Sequence, residues 1–190
     1  MPEIILVSAF LLDLILGEPP TQFHPTVWMG SYIQWFWKIC PKGSKRIEFL
    51  WGTLLILSGV FLFAGFMILL SSVFSSYSLL FVFLSVPLLI ASCSVRALLI
   101  SGYHIKKELE NGNLVEARKL TSYHLVSRNT ETLTEEEICS CVIESLSENI
   151  TDSFSSPILY FLLFGLPGSW AYRLVNTSDS MIAYRNGEFE

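Results

Sequence analysis

The chain of 190 residues is 52% hydrophobic and only 15% charged, with a formal net charge of −5 and a mean hydropathy of +0.51. Soluble globular domains carry about 25% charged residues, so this composition favours a membrane protein over a soluble one. The negative charge and the lack of a basic stripe exclude a nucleic-acid-binding protein.

Four apolar blocks explain this composition, at about 4–16, 52–74, 78–101 and 157–175. Because a transmembrane helix needs about 20 mainly apolar residues, the second and third blocks predict membrane-spanning helices. The first block is short, and Gly165, Pro167 and Gly168 interrupt the fourth, so we expect both to be short, tilted or re-entrant. The sequence thus predicts an all-α, polytopic membrane protein. Residues 1–190 would form a single membrane-embedded domain, with amphipathic cytoplasmic helices between the spans.

The first block contains Asp13 and has neither the basic region nor the cleavage site of a signal peptide. An ionisable residue within an apolar span is a candidate for a functional site. The stretch LGEPPTQFHP follows, and its three prolines predict a stiff extended loop. His24 in this loop is a weaker candidate, because a lone histidine is more often structural.

The second and third blocks are joined only by Ser75, Ser76 and Tyr77, which predicts a tight antiparallel hairpin. The two segments that flank the hairpin would then lie on one side of the membrane, and both are basic. The positive-inside rule places that side in the cytoplasm and predicts a multi-pass protein of the inner (cytoplasmic) membrane. The basic residues are Lys38, Lys42, Lys45 and Arg46 before the hairpin, and Lys106, Lys107, Arg118, Lys119 and Arg128 after it.

The segment at about 102–152 predicts cytoplasmic helices. The first would extend over 102–126, with a break at Asn111-Gly112-Asn113, which is a turn signal. Thr134, followed by three glutamates, predicts the start of another helix, with a hydroxyl N-cap and acidic residues in the first turn. We expect that helix to end at about 149–152.

One face of this last helix is predicted to carry only oxygen ligands. At about 100° per residue, Glu144, Glu148 and Asp152 share a face with Ser145 and Asn149. The opposite, apolar side would consist of Cys139, Ile143, Leu146 and Ile150. The polar face has no lysine or arginine to form the usual ion pairs, and oxygen ligands suit Mg²⁺. The alternative interpretation is an ordinary solvated helix face.

The last apolar block ends in a second polar stripe. On a helix, Arg173, Asn176, Thr177, Ser180 and Tyr184 share one face, with Asp179 at its edge. This stripe either belongs to a functional site or holds neighbouring helices together through hydrogen bonds.

Four stretches in chain order carry a resemblance to a known family: DLILGEPPTQFHPTVWMG, VSRNT, ESLSENITDSFSSP and VNTSDSMIAY. Together they resemble the CobD/CbiB family of cobalamin-biosynthesis membrane proteins, the adenosylcobinamide-phosphate synthases. The resemblance extends from about Asp13 to Tyr184.

The resemblance implies a membrane enzyme that joins aminopropanol, or its O-phosphate, to a propionate side chain of adenosylcobyric acid through an amide bond. ATP and Mg²⁺ would be required, and the lipid bilayer, the corrinoid and the amine would be the partners. Glu144, Glu148 and Asp152 would hold Mg²⁺, and Arg128, with Arg96 and Arg118, would clamp phosphate or a corrin carboxylate. The further substrate-binding candidates are Asp13, His24, Asn149, Asn176, Thr177, Asp179 and Ser180.

The chain departs from the family pattern in two ways. Family members usually read Arg-Asp-Thr where this chain has Arg128-Asn129-Thr130, and Asn129 keeps an acceptor oxygen but lacks the charge. Family proteins are also longer and continue with a further polar motif. We therefore expect the N-terminal part of a longer fold, with a partner chain as one source of the remainder. The alternative functions are a small polytopic transporter or scaffold, and an inactive truncated homologue.

Overall fold

The computed structural model describes residues 2–17, 24–41, 43–93, 95–126 and 129–182. These residues form eight α-helices and one π-helical turn, and they contain no strand, so the all-α prediction is confirmed. The helices are α1 Pro2–Leu16, α2 Pro25–Lys38, α3 Lys45–Phe74, α4 Ser78–Ile90, α5 Val95–Glu110, α6 Leu114–His124, α7 Glu135–Ile150 and α8 Ser156–Ile182, and the π-turn is Thr151–Ser155.

Three largely helical segments are long and apolar enough to cross a membrane: Lys45–Phe74, Leu79–Glu110 and Glu135–Ile182. The second and third of these contain the breaks described below. The three segments include the second, third and fourth apolar blocks, which confirms that the chain can span a membrane. Which side of the membrane each loop occupies stays a prediction.

The chain forms two compact units, and each is described by itself. Unit 1 comprises Met1–Cys93 and Ser156–Glu190, and unit 2 comprises Ser94–Ser155. The prediction of one membrane-embedded domain within a longer fold stays a prediction.

In unit 1, α3 packs against α8, α1 against α4, and α2 against both α8 and α3. The core includes Met29, Ile33, Leu55 and Leu174, all fully buried. A Cβ atom at Gly59 would lie 2.6 Å from Leu174 Cδ2, so the absence of a side chain lets α3 and α8 approach closely. Small residues serve the same purpose where helices pack within membranes.

The helix of the third apolar block ends earlier than predicted. α4 contains Pro87, ends at Ile90, and is followed by a turn at 91–93. A proline inside a helix removes a backbone hydrogen bond and favours such a break. The indole Nε1 of Trp170 donates a hydrogen bond to the Leu88 carbonyl at 3.0 Å, which satisfies one acceptor that the end of the helix exposes.

The fourth apolar block reverses direction at Gly165. This residue has φ +70° and ψ −159°, a conformation that favours glycine. The rings of Tyr160 and Tyr172 stack with centroids 5.1 Å apart. In a straight helix, 12 residues at 1.5 Å each would separate them by about 18 Å. The segments 156–164 and 166–182 therefore lie side by side, and the block is not one straight helix, as its glycines and proline suggested.

Unit 2 is a bundle of α5, α6 and α7 around fully buried Ile105, Ala117 and Ile138. The predicted break at 111–113 is confirmed, and Gly112 there has φ +72°. The predicted start of α7 is also confirmed. The Thr134 hydroxyl accepts a hydrogen bond from the Glu137 amide, and the Glu137 carboxylate accepts one from the Thr134 amide.

The reversal at Gly165 brings Gly168 against the preceding segment. A Cβ atom at Gly168 would lie 2.5 Å from the Tyr160 carbonyl oxygen and 2.6 Å from Phe164 Cβ. We expect Gly168→Ala to separate the two segments and to destabilise the protein by about 1–3 kcal/mol. The measurement is the thermal midpoint of the purified chain in detergent. Gly65→Ala is the matched control, because a Cβ atom there meets nothing within 4 Å. An equal decrease in both variants would contradict the side-by-side arrangement.

Candidate functional site

The carboxylates of Glu144 and Glu148 lie one turn apart on α7, and both residues are exposed. Asp152 is half-buried and lies in the π-turn rather than in α7, which ends at Ile150. Hydrogen bonds in a π-helix join residues i and i+5, so each turn contains more residues than an α-helical turn. The three residues therefore do not continue one α-helical face, and Glu144 and Glu148 form the regular pair. π-turns occur frequently at functional sites.

The predicted apolar side of α7 is wrong in part. Ile143 and Ile150 are 66% and 45% exposed, whereas Ser145, predicted on the polar face, is 6% exposed. The helix buries Ile138, Cys141 and Ser145 because α5 and α6 cover that side. Leu146 is half-buried, and its side chain approaches Gly102 of α5.

The described residues contain no group of three histidine, cysteine or acidic side chains arranged to hold a metal ion. A cage made only of protein ligands is therefore not observed in this part of the chain. Mg²⁺ is usually held through one or two carboxylates together with substrate phosphates. The pair of Glu144 and Glu148 fits that second type of site.

A cavity of about 960 Å³ lies beside α6 in unit 2. Its α6 wall includes Arg118, Lys119 and Ser122, and Asn129 and Thr130 of the following loop also line it. We call it the α6 cavity. Two of the candidate regions in the sequence, Arg118 and the VSRNT motif, therefore contribute to one cavity.

Two hydrogen bonds attach this motif and the residues that follow it to α6. The Thr130 hydroxyl, on a residue that is 3% exposed, donates to the Arg118 carbonyl at 2.8 Å. The Arg118 Nε donates to the Leu133 carbonyl at 2.7 Å. The Asn129 side-chain oxygen accepts a hydrogen bond from the Glu131 amide at 2.8 Å. These contacts fix the course of the loop at 129–133.

Two further candidates of unit 2, Arg96 and Asn149, are not among the described residues that line the α6 cavity. Arg96 is half-buried on α5, and the Asn149 side-chain amide donates to the Ser145 carbonyl at 2.8 Å. Arg128 lies outside the described residues.

Asp13 and His24 belong to unit 1 and are buried, at 2% and 6% exposure. His24 is the N-cap of α2, and its Nδ1 accepts a hydrogen bond from the Thr26 amide at 3.3 Å. An N-cap side chain satisfies a backbone donor that the helix leaves open, so His24 has a structural role whether or not it also binds substrate.

Two hydroxyls of the polar stripe on α8, those of Thr177 and Ser180, donate hydrogen bonds within their own helix. The Thr177 hydroxyl donates to the Arg173 carbonyl at 2.7 Å, and the Ser180 hydroxyl donates to the Asn176 carbonyl at 3.0 Å. Asn176 and Thr177 are half-buried, and Ser180 is exposed. The hydroxyls of Thr177 and Ser180 therefore give no support to the alternative in which the stripe joins neighbouring helices.

Asp179 is exposed and lines a cavity of about 510 Å³ in unit 1, between α3 and α8. Glu48, in the first turn of α3, lines the same cavity. No sequence signal distinguishes Glu48, because an acidic residue in the first turn of a helix is ordinary. Only the packing of α3 against α8 brings the two carboxylates to one cavity.

Comparison with known proteins identifies relatives over nearly the whole chain. A family model described as CobD/Cbib protein matches residues 6–190. The chain is 40% identical over 184 residues to the probable cobalamin biosynthesis protein CobD of Methanothermobacter thermautotrophicus, covering 97% of this chain and 59% of the relative. It is 38% identical to the protein of the same description from Pyrococcus furiosus, covering 99% and 63%. It is 35% identical to the cobalamin biosynthesis protein CobD of Dehalococcoides mccartyi, covering 98% and 60%.

These three alignments span about three fifths of the length of the relatives. No solved structure matches the chain.

The hydroxyl of Thr130 can be tested as the contact that holds the loop of the α6 cavity. We expect Thr130→Val, which keeps the shape of the side chain, to destabilise unit 2 by about 0.5–1.5 kcal/mol through loss of one hydrogen bond. Hydrogen exchange at the amides of 129–133 should become faster. Thr132→Val is the matched control, since Thr132 is exposed in the same loop. Unchanged exchange in Thr130→Val would show that the hydroxyl does not hold the loop.

Proposed function

Because the chain belongs to the CobD/Cbib family, we propose that it acts in cobalamin biosynthesis as a membrane-bound, amide-forming ligase. Its substrates would be adenosylcobyric acid, ATP, and aminopropanol or its O-phosphate. The product would be adenosylcobinamide or its phosphate.

The proposed reaction needs an activated carboxylate, because a free carboxylate is a poor acyl donor. A propionate oxygen of the corrinoid would attack the γ-phosphorus of ATP and release ADP, giving an acyl phosphate, or attack the α-phosphorus and release pyrophosphate, giving an adenylate. The amine nitrogen would then attack the acyl carbon, phosphate or AMP would leave with the bonding electron pair, and the nitrogen would lose a proton. The protein must bind the phosphates, orient the amine and exclude water.

The observation that carries the proposal is the pair of exposed carboxylates on α7, Glu144 and Glu148. When bound, Mg²⁺ would neutralise phosphate charge and polarise the phosphorus–oxygen bonds. Glu144 and Glu148 would hold the ion together with the substrate phosphates, and half-buried Asp152 would adjoin this pair. The α7 pair thus matches the ligand number that a magnesium–phosphate site needs from protein.

The other candidates receive binding roles in this proposal. Asn149 would orient substrate beside the α7 pair, and Arg96 and Arg128 would contact phosphate or a corrin carboxylate. In unit 1, the proposed substrate-binding residues are Asp13, His24, Asn176, Thr177, Asp179 and Ser180.

The α7 pair can be tested in a strain that is blocked in cobinamide synthesis. We expect Glu144→Gln and Glu148→Gln each to lower the initial rate of amide formation by about a hundredfold or more, because each removes a charge from the metal site. The measurements are growth without added cobinamide and amide formation in isolated membranes. Glu136→Gln is the control, since Glu136 is exposed on the same helix, eight residues before Glu144.

The outcomes separate the proposal from the alternatives. Growth that is independent of both glutamates would exclude their assignment as magnesium ligands. Normal membrane insertion of the unaltered chain with no amide formation would show that this chain alone does not carry the activity, as expected for a truncated homologue. Uptake or efflux of a corrinoid without amide formation would favour the transporter.

A further inference from the structure

We propose that the α6 cavity binds the phosphate group of a phosphate ester through Arg118 and Lys119. The inference rests on the proposed function only for the identity of the ester, since a ligase of this kind handles a nucleotide. The binding of the anion itself depends only on residues of unit 2.

The α6 wall of the cavity is one stripe of the helix. Residues 115, 118, 119, 122 and 123 line it, with the spacing i, i+3, i+4, i+7 and i+8 that places side chains on one face. The stripe presents two cations, Arg118 and Lys119, followed by the hydroxyls of Ser122 and Tyr123. All four side chains are hydrogen-bond donors, which is the chemistry that an anion requires.

The side chain of Arg118 is fixed through its Nε atom, and its two terminal nitrogens can donate hydrogen bonds to a ligand. The residue is half-buried, and its Nε donates to the Leu133 carbonyl at 2.7 Å. Among the described residues, this is the only hydrogen bond of its side chain, and it forms no ion pair there. Both terminal nitrogens therefore remain as donors, and the guanidinium plane is already oriented. An arginine in this state suits bidentate binding of phosphate.

Lys119 adds a second positive charge that is weakly engaged. Its Nζ lies 3.4 Å from Glu116 Oε1, in a pair that is 75% exposed on the lysine side. Exposed pairs of this kind contribute little free energy, so a phosphate can compete with Glu116 for the ammonium group.

The other described lining residues belong to the loop at 129–131, and hydrogen bonds fix the course of this loop. The Thr130 hydroxyl donates to the Arg118 carbonyl, and the Asn129 oxygen accepts from the Glu131 amide. Glu131 is the only acidic residue among the described residues that line the cavity, against two cations. The described lining thus contains two cations and one carboxylate, while from outside the lining Glu116 pairs with Lys119 and Glu137 interacts electrostatically with Arg118. A pre-formed cavity binds an anion at a smaller entropic cost than a flexible surface does.

The bound phosphate has two sources that share this chemistry. One is a free ester, such as a nucleotide, and the other is the headgroup of an anionic lipid. Val115 and Tyr123, at the two ends of the stripe, are 74% and 83% exposed and would contact the apolar part of either ligand. The test must therefore include both ligands.

The experiment is a native mass spectrometry titration of the full chain in detergent, with EDTA present so that no metal contributes. The ligands are ADP, adenosine as the control without phosphate, and dioctanoyl phosphatidylglycerol. We expect ADP to bind and adenosine not to bind. Arg118→Ala and Lys119→Gln should each raise the Kd for ADP about tenfold or more. Arg118→Lys should have an intermediate effect, since it keeps the charge but loses the fork.

Lys106→Gln is the matched control, because Lys106 is exposed on α5 and forms an equivalent surface pair with Glu110 at 3.6 Å. If Arg118→Ala fails to fold, Lys119→Gln decides the test, since Lys119 is an exposed residue. Binding of phosphatidylglycerol but not ADP, with the same dependence on Arg118 and Lys119, would assign the cavity to a lipid headgroup.

The proposal is overturned if adenosine binds as well as ADP, if neither anion binds, or if Lys106→Gln weakens binding as much as Lys119→Gln does. Its failure is distinguishable from failure of the proposed function. Anion binding in EDTA is independent of the α7 pair, whereas amide formation requires Glu144 and Glu148.

Discussion

The reversal of the chain at Gly165 determines how unit 1 packs. Only a residue without a side chain adopts φ +70° with ψ −159° at little cost, and the turn places the segments 156–164 and 166–182 against each other. The second segment then brings Trp170 to the end of α4 and Leu174 to Gly59 of α3. In apolar surroundings an unpaired carbonyl is costly, so the hydrogen bond from Trp170 to the Leu88 carbonyl stabilises the early end of α4.

Unit 2 separates two kinds of charge on two helices. α7 presents exposed carboxylates at Glu144 and Glu148, and α6 presents Arg118 and Lys119 to a cavity. The capping box at Thr134 fixes the start of α7. The hydrogen bond from Arg118 to the carbonyl of Leu133, the residue before Thr134, links this start to α6. A nucleotide with its metal requires both kinds of group, because the carboxylates bind the cation and the basic residues bind the phosphates. The proposed magnesium site and the proposed phosphate cavity would therefore serve the same ligand, a nucleotide with its metal ion.

The sequence predicted the features that depend on local signals. The apolar blocks, the break at 111–113 and the capping box at Thr134 and Glu137 all follow from residue type and spacing. It did not predict the features that depend on packing. The exposure of Ile143 and the burial of Ser145 follow from where α5 and α6 cover α7, and no periodicity contains that information. The π-turn at 151–155 likewise has no residue signature, although it moves Asp152 out of the α-helical register. Glu48 joins Asp179 only through the packing of α3 and α8.

Asn129 stands where the resemblance to the family implies an aspartate, and the α6 cavity gives this difference a physical interpretation. Its side-chain oxygen accepts a hydrogen bond from the Glu131 amide, and an aspartate oxygen would accept the same bond, so either residue supports the turn. The difference is the charge. An aspartate would add a second negative charge to a lining that already contains Glu131, in the same cavity as Arg118 and Lys119. With asparagine the described lining keeps two cations against one carboxylate, which favours a bound phosphate over an internal ion pair. Asn129 is therefore a poorer metal ligand than an aspartate would be, but it favours the binding of an anion in the cavity.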